Sequence, residues 1–551
     1  MSTRTEHTDG TIDESLHPSV DDDGITVVPD ERPSPSRGAR FQPVTDHVAA
    51  ALEPIWGDRR IAAAAAFGAG ALWGALAGWW TPRGPLTTSQ AIWSIVISLA
   101  IGATAGIITR SRWAMLAAPV VFASVFELVR FGTDGPTVDG ISTSTYGLIA
   151  LVVGRGFHAL ISLLPLAFGA LIGAAAARQL ATTRSVAGTG RRWWRYTRRG
   201  GAVLAGLGLL AFTALLARPA STDPIVDADG IRIPGSIAEL TTVDVNGHNL
   251  TMLIRGHSVD NPVLLFLAGG PGGSEMGAMR KHLPRLEENF TVVTWDQRGT
   301  GHAYDQLDPT DTVTLDGAID DTLAVTNYLR DRFGQEKIYV LGQSWGSTLG
   351  VLAVQQQPGL YTAFIGTGQM VSQLATDTIF YEDTLVWAQT TGRTGLVADL
   401  LSIGAPPYSE MLNYETALAN EQDVYPYDHS PNSEGRGQMS ENLIVEEYAL
   451  IDQVHILGAF MDTFSVLYPQ LQGIDFRETA TDFEIPMFFV QGAHEADGRA
   501  EVFADWYPMV DAPVKDLVVL DTSGHRALWE QPDEFVDYMT NTVLAQTSNA
   551  D

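Results

Sequence analysis

The sequence predicts a multi-pass α-helical membrane region followed by an α/β domain with a mostly parallel sheet, helices on both faces and a mainly helical cap. Three observations support this fold class. Long apolar runs follow one another between residues 61 and 217. After residue 218, short apolar runs alternate with helix-length segments, which is typical of parallel strands joined by helices. One interval of more than a hundred residues interrupts that alternation and predicts an inserted lobe.

Charge is distributed unevenly along the 551 residues. The net charge is −30; residues 1–217 carry 18 basic and 15 acidic side chains, and residues 218–551 carry 16 and 49. A surface this acidic repels phosphates, so we expect no nucleic-acid partner. The chain has no cysteine. This excludes disulfides, thiolate metal sites and cysteine nucleophiles, and it leaves the redox compartment open.

Residues 1–58 are predicted to be a disordered cytoplasmic tail. Their early part is rich in Asp, Thr, Ser and Pro and has no apolar periodicity that could support a core. The first long apolar run begins near residue 61, too late for a cleavable signal peptide.

Residues 59–217 are predicted to form a membrane region of about five transmembrane helices. Each apolar run has about the length that a helix needs to cross the hydrocarbon core. The runs are Ile61 to Trp80, Ala91 to Thr109, Trp113 to Val129, Phe157 to Ala177 and Ala202 to Ala217. Five successive runs with little amphipathic pattern disfavour buried helices of a soluble protein. Gly70, Gly74 and Gly78 permit close contact between helices.

Arginines in the short loops predict the orientation. Every second loop is basic: Arg59 and Arg60 precede the first run, Arg110 and Arg112 follow the second, and seven arginines separate the fourth and fifth. The alternate loop containing Arg83 is poor in basic residues. Because basic loops stay cytoplasmic, we expect a multi-pass plasma-membrane protein with a cytoplasmic N-terminus and an extracytoplasmic domain 218–551.

The apolar stretch Leu148 to Val153 is interpreted as part of a loop or as a re-entrant segment, because Gly154-Arg155-Gly156 follows it. Glu127, Arg155 and His158 could mark a polar pathway through the membrane. We favour the alternative that these side chains lie at helix ends and reach the interface.

Eight strands are predicted in residues 218–551, and a cap is predicted at about residues 369–482. An insertion of this size is expected to cover the carboxyl edge of the sheet, where ligands bind in such folds. The strands are Leu240 to Val245, Leu250 to Arg255, Val263 to Leu267, Thr291 to Trp295, Ile338 to Leu341, Ala363 to Gly366, Met487 to Val490 and Leu517 to Leu520.

The pentad Gly342-Gln343-Ser344-Trp345-Gly346 fits the G-x-S-x-G pattern, in which a serine nucleophile occupies a tight turn between a strand and a helix. Alone it is weak evidence in a chain with 54 glycines. Here it follows the strand ending at Leu341 and precedes a plausible helix from Ser347 to Gln355, which is the required context. The sequence therefore predicts an α/β-hydrolase domain with Ser344 as its nucleophile.

A serine hydroxyl needs a base, and the chain order in this fold is serine, acid, histidine. His525 lies in a loop after the last predicted strand and is the candidate base. Glu495 and Asp497 both follow the strand Met487 to Val490, and the two remain alternatives for the acid on these grounds. Consecutive glycines after Leu267 and the N–H that follows the nucleophile predict an oxyanion hole from Gly270 and Trp345.

Three motifs resemble the proline iminopeptidase family of α/β-hydrolases over most of residues 235–545. They are Gly269-Gly270-Pro271-Gly272, Asp296-Gln297-Arg298-Gly299 and Gly342-Gln343-Ser344-Trp345-Gly346-Ser347. The resemblance implies a Ser-His-acid hydrolase with a helical cap that releases an N-terminal residue, often proline, from short peptides. It also favours Glu495, which lies three residues after Gly492 where the family usually has Asp. Ala268 replaces the usual histidine of the first motif.

We therefore expect acyl transfer with Ser344 as nucleophile, His525 as base and Glu495 as its orienting acid, without a metal or organic cofactor. The expected partners are the lipid bilayer and a small-molecule or short-peptide substrate. One alternative is a carboxylesterase or lipase with the same triad. Another is a catalytically silent membrane sensor that only binds a ligand. Cap glutamates bind the substrate amine in the family, but no motif transfers that role to Glu410, Glu421, Glu446 or Glu447.

Overall fold

The structure, a computed structural model, describes residues 53–181, 192–427 and 440–547. Most of the predicted tail 1–58 lies outside these residues, as does part of the arginine-rich segment before residue 200. Residues Ile55–Asp551 form one unit, in which the N-terminal helices and the α/β domain share contacts.

Helices α1 to α5 form the N-terminal helical region, residues 55–217. Their bounds are α1 Arg59–Trp80, α2 Thr88–Thr109, α3 Ala114–Val129, α4 Thr145–Gln179 and α5 Arg192–Leu216. By length and composition, α1, α2, α4 and the Tyr196–Leu216 part of α5 are apolar and long enough to cross a membrane. Helix α3 has 16 residues, slightly fewer than a typical span.

Helix α4 begins twelve residues before the predicted fourth run. The interpretation of Leu148 to Val153 as a loop or re-entrant segment is therefore wrong. Two α-helical parts of α4, one at Thr145–Leu151 and one that begins at Leu164, are connected through the π-helical turns Val152–Gly156 and Ala159–Leu163. Gly154 and Gly156 do not end the helix. Both lie in the π-helical turn Val152–Gly156, and the helix continues after it. At 35 residues, α4 is about 50 Å long, well beyond a hydrocarbon core of about 30 Å.

Glycines allow two pairs of helices in this region to pack backbone against backbone. A Cβ at Gly74 would lie 2.6 Å from the carbonyl oxygen of Phe122 on α3. On α2, a Cβ at Gly106 would lie 2.1 Å from the oxygen of Ala170 on α4, and a Cβ at Gly173 would lie 2.0 Å from the oxygen of Ala103. Small residues spaced four apart thus bring α1 to α3 and α2 to α4.

The α/β domain is built on one eight-stranded sheet, and its eight strands match those predicted. The order is β1-β2-β4-β3-β5-β6-β7-β8; β1 and β2 pair antiparallel, β2 pairs antiparallel with β4, and all later pairs are parallel. The strands are β1 Ile237–Val245, β2 His248–Gly256, β3 Val263–Leu267, β4 Thr291–Trp295, β5 Ile338–Gln343, β6 Tyr361–Thr367, β7 Met487–Gly492 and β8 Lys515–Leu520. Strands β3, β4, β5 and β7 are fully buried and β6 is buried except at Thr362, as expected for strands covered on both faces.

Helices cover both faces of the sheet, and a further set forms the cap between β6 and β7. Around the sheet lie α6 Met276–His282, α7 Leu315–Phe333, α8 Trp345–Gln356, α16 Asp497–Trp506, α17 Ala527–Glu530 and α18 Pro532–Tyr538. The cap comprises α9 Gln373–Thr390, α10 Thr394–Ile403, α11 Met411–Leu418, α12 Glu421–Val424, α13 Ser440–Leu443, α14 Leu450–Leu467 and α15 Phe476–Thr479. Helix α14 is also long and apolar, but most of it is buried inside the protein.

A buried polar cluster joins the N-terminal helical region to the cap. Arg83, in the loop between α1 and α2, is 2% exposed and donates to the carboxylates of Asp308 and Asp462. Asp462 lies on α14, is fully buried, and also accepts from the hydroxyls of Thr137 and Tyr304, each at 2.6 Å. A buried ion pair needs such additional donors. The cluster fixes α14 against the loops at one end of the helical region.

Candidate active site

Ser344 lies at the sharp turn between β5 and α8. Its backbone has φ 53° and ψ −119°, a conformation that costs energy for a residue with a side chain. A Cβ at Gly346 would lie 1.9 Å from the carbonyl oxygen of Leu267, and a Cβ at Gly342 would lie 2.3 Å from that of Gly346. The flanking glycines are therefore required for the turn to form beside β3.

Three side chains meet at this turn. His525, in the loop after β8, lies with Nε2 2.9 Å from Ser344 Oγ. Its Nδ1 lies 2.6 Å from the Glu495 carboxylate, which follows β7. The parallel strands β5, β7 and β8 end at the same edge of the sheet, which is why residues 181 positions apart come together. These distances are those of a nucleophile, a base and an orienting acid.

Glu495 is held as a carboxylate by its neighbours. Arg499, one turn further on in α16, donates to it at 2.7 Å, and the Ala496 N–H donates at 2.9 Å. Burial alone would raise the pKa of Glu495, but Arg499 and His525 outweigh it and lower the pKa to about 2. The alternative acid, Asp497, is exposed at the first residue of α16. Of the two candidates, the structure places Glu495 against His525.

The glycine-rich loop after β3 forms the neighbouring wall. Gly270 and Gly272 have φ of 124° and 108°, which L side chains rarely adopt. The Gly269 N–H donates to Glu275 at 3.0 Å, and the Gly273 N–H donates to the Gly269 carbonyl at 3.0 Å. Trp345 is the first residue of α8, where backbone N–H groups lack intrahelical partners. Gly270 lines the cavity together with Ser344, and Trp345 follows Ser344 directly; the role of their N–H groups as an oxyanion hole stays a prediction.

The Asp-Gln-Arg-Gly loop after β4 forms hydrogen bonds that hold Trp345 and the cap in position. The Trp345 indole donates to the Gln297 side chain at 2.9 Å. Asp296 is fully buried and accepts from the Tyr448 hydroxyl at 2.9 Å and from the ring of His302 at 2.8 Å. Burial would lower the pKa of His302, but the Asp296 carboxylate raises it. This motif therefore acts by positioning α8 and the cap rather than by contacting a substrate.

A cavity of about 560 Å³ opens over Ser344, and its lining is mainly apolar. The apolar side chains are Tyr146, Ile149, Met370, Leu418, Ile456, Leu457, Phe460, Met461, Phe464 and Tyr468; the polar ones include Gln343, Gln373, Asn442, Arg499 and Arg526. Among the lining residues in the described ranges, Glu275 supplies the only carboxylate, and it pairs with Arg526 at 3.1 Å.

The four cap glutamates considered from the sequence do not line this cavity. Glu421 contacts Arg499 and so reaches the site indirectly. Glu447 is buried against Arg280, and Glu446 pairs with Arg218 at the surface. Glu410 lies at a separate cavity beside the loop 134–142.

Sequence reasoning missed several residues of the site. The spacing of four residues could have indicated that Glu495 and Arg499 form an ion pair at the start of α16. Arg526 follows His525 directly, but no pattern pairs it with Glu275. Tyr146 and Ile149 belong to the N-terminal helical region and were treated as loop, so their place at the cavity could not be inferred.

Comparisons with known proteins identify the fold of the α/β domain. Residues 262–532 match a family described as alpha/beta hydrolase fold. The probable aminopeptidase YbaC of Bacillus subtilis is 28% identical over 308 residues, which are 55% of this chain and 96% of that protein. The proline iminopeptidase of Xanthomonas citri is 35% identical over 105 residues, which are 19% of this chain and 31% of that protein.

A solved structure, the proline iminopeptidase of Mycobacterium smegmatis, is 18% identical, with a TM-score of 0.42; the match covers 57% of this chain and all of that one. The family match begins at residue 262, after the N-terminal helical region. The chain therefore carries an enzyme domain of the α/β-hydrolase fold whose relatives are named as aminopeptidases and proline iminopeptidases.

Proposed function

We propose that this protein is a membrane-anchored serine hydrolase with the triad Ser344, His525 and Glu495. The observation that supports it most directly is the pair of contacts at His525, 2.9 Å to Ser344 Oγ and 2.6 Å to Glu495. Ser344 Oγ attacks the carbonyl carbon of the substrate, and its proton passes to His525 Nε2. His525 then protonates the leaving group, and water cleaves the acyl-serine ester by the same route.

Gly270 and Trp345 stabilise the oxyanion in this mechanism. Their backbone N–H groups flank the nucleophile and need no rearrangement when the carbonyl oxygen becomes negative. Glu495 keeps the imidazole in the tautomer that accepts the serine proton and stabilises the positive charge that follows. No step of this mechanism requires a cofactor.

The substrate class is short peptides with a free N-terminus, from which the enzyme releases the first residue. The names of the relatives support this assignment: probable aminopeptidase for the protein matched over 96% of its length, and proline iminopeptidase for others. Glu275 supplies the carboxylate at the cavity that a substrate ammonium group would approach. The ammonium group and Arg526 would then both contact this carboxylate.

A carboxylesterase or lipase is the second candidate, and the cavity lining favours it. Most lining side chains are apolar, and Glu275 is already neutralised by Arg526. An ester with an apolar acyl group needs no ammonium-binding carboxylate. Both candidates use the same nucleophile, so a substrate comparison separates them.

The N-terminal helical region anchors the domain in the plasma membrane, with the N-terminus cytoplasmic and the hydrolase domain outside. One feature supports this orientation, and a second supports a membrane span. Arg59, Arg110, Arg112, Arg178 and Arg198 line one cavity at the end of the bundle remote from the domain, as the positive-inside rule requires. Trp79 and Trp80 lie exposed at the opposite end of α1, where interfacial aromatic residues are common.

Ser344→Ala tests the nucleophile in the full-length protein in detergent. We expect hydrolysis to fall by about 10⁴-fold or more, because the acyl-enzyme cannot form. A fluorophosphonate probe should label the wild type at Ser344 and leave the variant unlabelled. Ser402→Ala, at an exposed position of α10 outside the cavity lining, is the matched control and should keep its labelling. Labelling of Ser344→Ala at another serine would overturn the assignment, and an unlabelled wild type would favour the silent sensor.

A comparison of aminoacyl-coumarin amides with p-nitrophenyl esters tests the substrate class. We expect the amides of proline and small apolar residues to be cleaved with Ser344-dependent turnover, and N-acetylation of the same amides to abolish cleavage. Turnover of esters alone would assign the protein to the carboxylesterases, and equal turnover of acetylated and free amides would exclude an aminopeptidase.

A further inference from the structure

The first turns of α4 form part of the wall of the Ser344 cavity. Tyr146 and Ile149 line the cavity together with Ser344 and His525. Three and four residues apart on a helix, Tyr146, Ile149, Ala150 and Val153 share one face. Ala150 is fully buried in the same hydrophobic core as Trp345 and Phe464. The opposite face, with Leu148 at 48% and Val152 at 65% exposure, is directed away from the domain.

Specific contacts hold this end of α4 in place. The Tyr146 N–H donates to the buried Glu415 carboxylate on α11 at 3.0 Å. Further along, Arg155 donates to the carbonyl oxygen of Val138 at 2.6 Å. Thr137, the residue before Val138, donates from its hydroxyl to Asp462 on α14 at 2.6 Å. The cavity wall from α4 is therefore fixed to two cap helices rather than resting on them loosely.

Helix α14 supplies the facing part of the apolar wall. Ile456, Leu457, Phe460, Met461 and Phe464 line the cavity from this helix. The Phe460 carbonyl lies within 2.7 Å of where a Cβ of Gly272 would be, so α14 also closes on the oxyanion loop. The apolar space over Ser344 is thus bounded by a cap helix on one side and, on the other, by a helix that continues without a break to Gln179.

We propose that Tyr146 and Ile149 are specificity-determining residues, which limit the size of the apolar group that the substrate places beside the scissile carbonyl. The inference rests on the proposed serine hydrolase function and extends it: the substrate-binding pocket is completed by the N-terminal helical region. The ligand class is a carbonyl compound whose adjacent group is apolar and small enough to fit between Ile149 and the aromatic side chains of α14.

The volume of residue 149 is the variable in the test. Full-length Ile149→Ala, Ile149→Trp and the control Leu148→Trp, on the exposed face of the same helix, are purified in detergent. Each is assayed with fluorophosphonates carrying ethyl, butyl and octyl groups and with alanyl, prolyl, leucyl and phenylalanyl coumarin amides. The fluorophosphonate series reports on the pocket whether the natural substrate is a peptide or an ester.

Ile149→Trp should lower the labelling rate and kcat/KM for the largest group about 10- to 100-fold more than for the smallest. Ile149→Ala should shift the ratio of the rates for the largest and the smallest group in the opposite direction, mainly through KM. Leu148→Trp should leave this ratio unchanged. A merely structural role would lower all rates together without changing the ratio. If Ser344 is labelled but the ratio stays constant across the Ile149 variants, the inference is overturned while the hydrolase assignment stands. If wild-type Ser344 is not labelled, both fall.

Discussion

Glu495 illustrates how a buried carboxylate can stay ionised. Burial opposes the charge, yet two cations, Arg499 and the His525 imidazolium formed during catalysis, lie within hydrogen-bond distance. Since its pKa is lowered to about 2 from an ordinary 4.5, Glu495 stabilises the folded protein above pH 4.5. That stabilisation is lost as the pH falls through about 2. Protonation of Glu495 therefore cannot set the acid limb of the activity profile above pH 4.

Glu495→Gln should lower kcat by about 10²- to 10⁴-fold, because an amide neither fixes the imidazole tautomer nor stabilises its charge. Asp497→Asn is the matched control and should change kcat by less than about threefold, since its side chain is exposed at the start of α16. Steady-state kinetics with thermal melting of both variants checks this. A larger loss in Asp497→Asn than in Glu495→Gln would move the acid to Asp497.

At the residue scale, much of the site could be predicted from local sequence. Ser344 and His525 were found because the turn glycines and the chain order leave few alternatives. The residues alone did not decide between Glu495 and Asp497, because both follow β7. The structure separates them because α16 begins at Asp497, whose side chain is exposed to solvent. Glu495 lies in the loop before the helix and is buried.

At the scale of elements, the loop between α1 and α2 is more than a connection. Arg83 was recognised in the sequence only as one charge in a loop poor in basic residues. The structure shows its side chain fully buried against Asp308 and Asp462. Burial would lower the pKa of Arg83, but Asp462, Tyr304 and Asp308 together raise it. Partners 225 and 379 residues away leave no local signal in the sequence.

Arg83→Ala should lower the free energy of unfolding by about 3–5 kcal/mol, because it leaves Asp462 buried without its cation. Arg112→Ala, at an exposed position on the loop at the other end of the bundle, should change it by less than about 0.5 kcal/mol. Thermal unfolding of the full chain in one detergent, followed by tryptophan fluorescence, provides the measurement. Equal melting temperatures for the two variants would show that the cluster contributes no net stability.

Helix α4 shows where patterns mislead. Gly154-Arg155-Gly156 indicated a break, and periodicity gave no reason to begin the helix before Phe157. Tertiary contacts decide otherwise: Gly154 packs closely on the Thr137 carbonyl, and Arg155 bonds to Val138. Gly154 thus permits a close approach within a helix instead of ending it. By contrast, the sheet could be predicted well because each buried strand is a continuous apolar run.

At the scale of the whole molecule, the α/β domain and the N-terminal helical region are interdependent. The hydrophobic core that contains Trp345 also contains Ala150, and Ile451 of α14 packs in a cluster with Ala91, Ile161 and Leu216. Removing residues 55–217 would expose these apolar surfaces together with the carboxylate of Asp462. Through this shared core the N-terminal helices contribute to the packing of the α/β domain, in addition to the membrane anchoring that we propose for them.

The orientation can be tested through the absence of cysteine, since any introduced cysteine is unique. Asp260→Cys lies at an exposed site between β2 and β3, and Arg112→Cys lies at an exposed site between α2 and α3. A membrane-impermeant maleimide should label Asp260→Cys on intact cells, because the orientation that we propose puts the acidic domain outside. It should label Arg112→Cys only after permeabilisation, because basic loops resist translocation. Mass spectrometry of the purified chain measures the labelled fraction. The reverse pattern would place the hydrolase domain in the cytoplasm, and labelling of both variants in intact cells would exclude the topology that we propose.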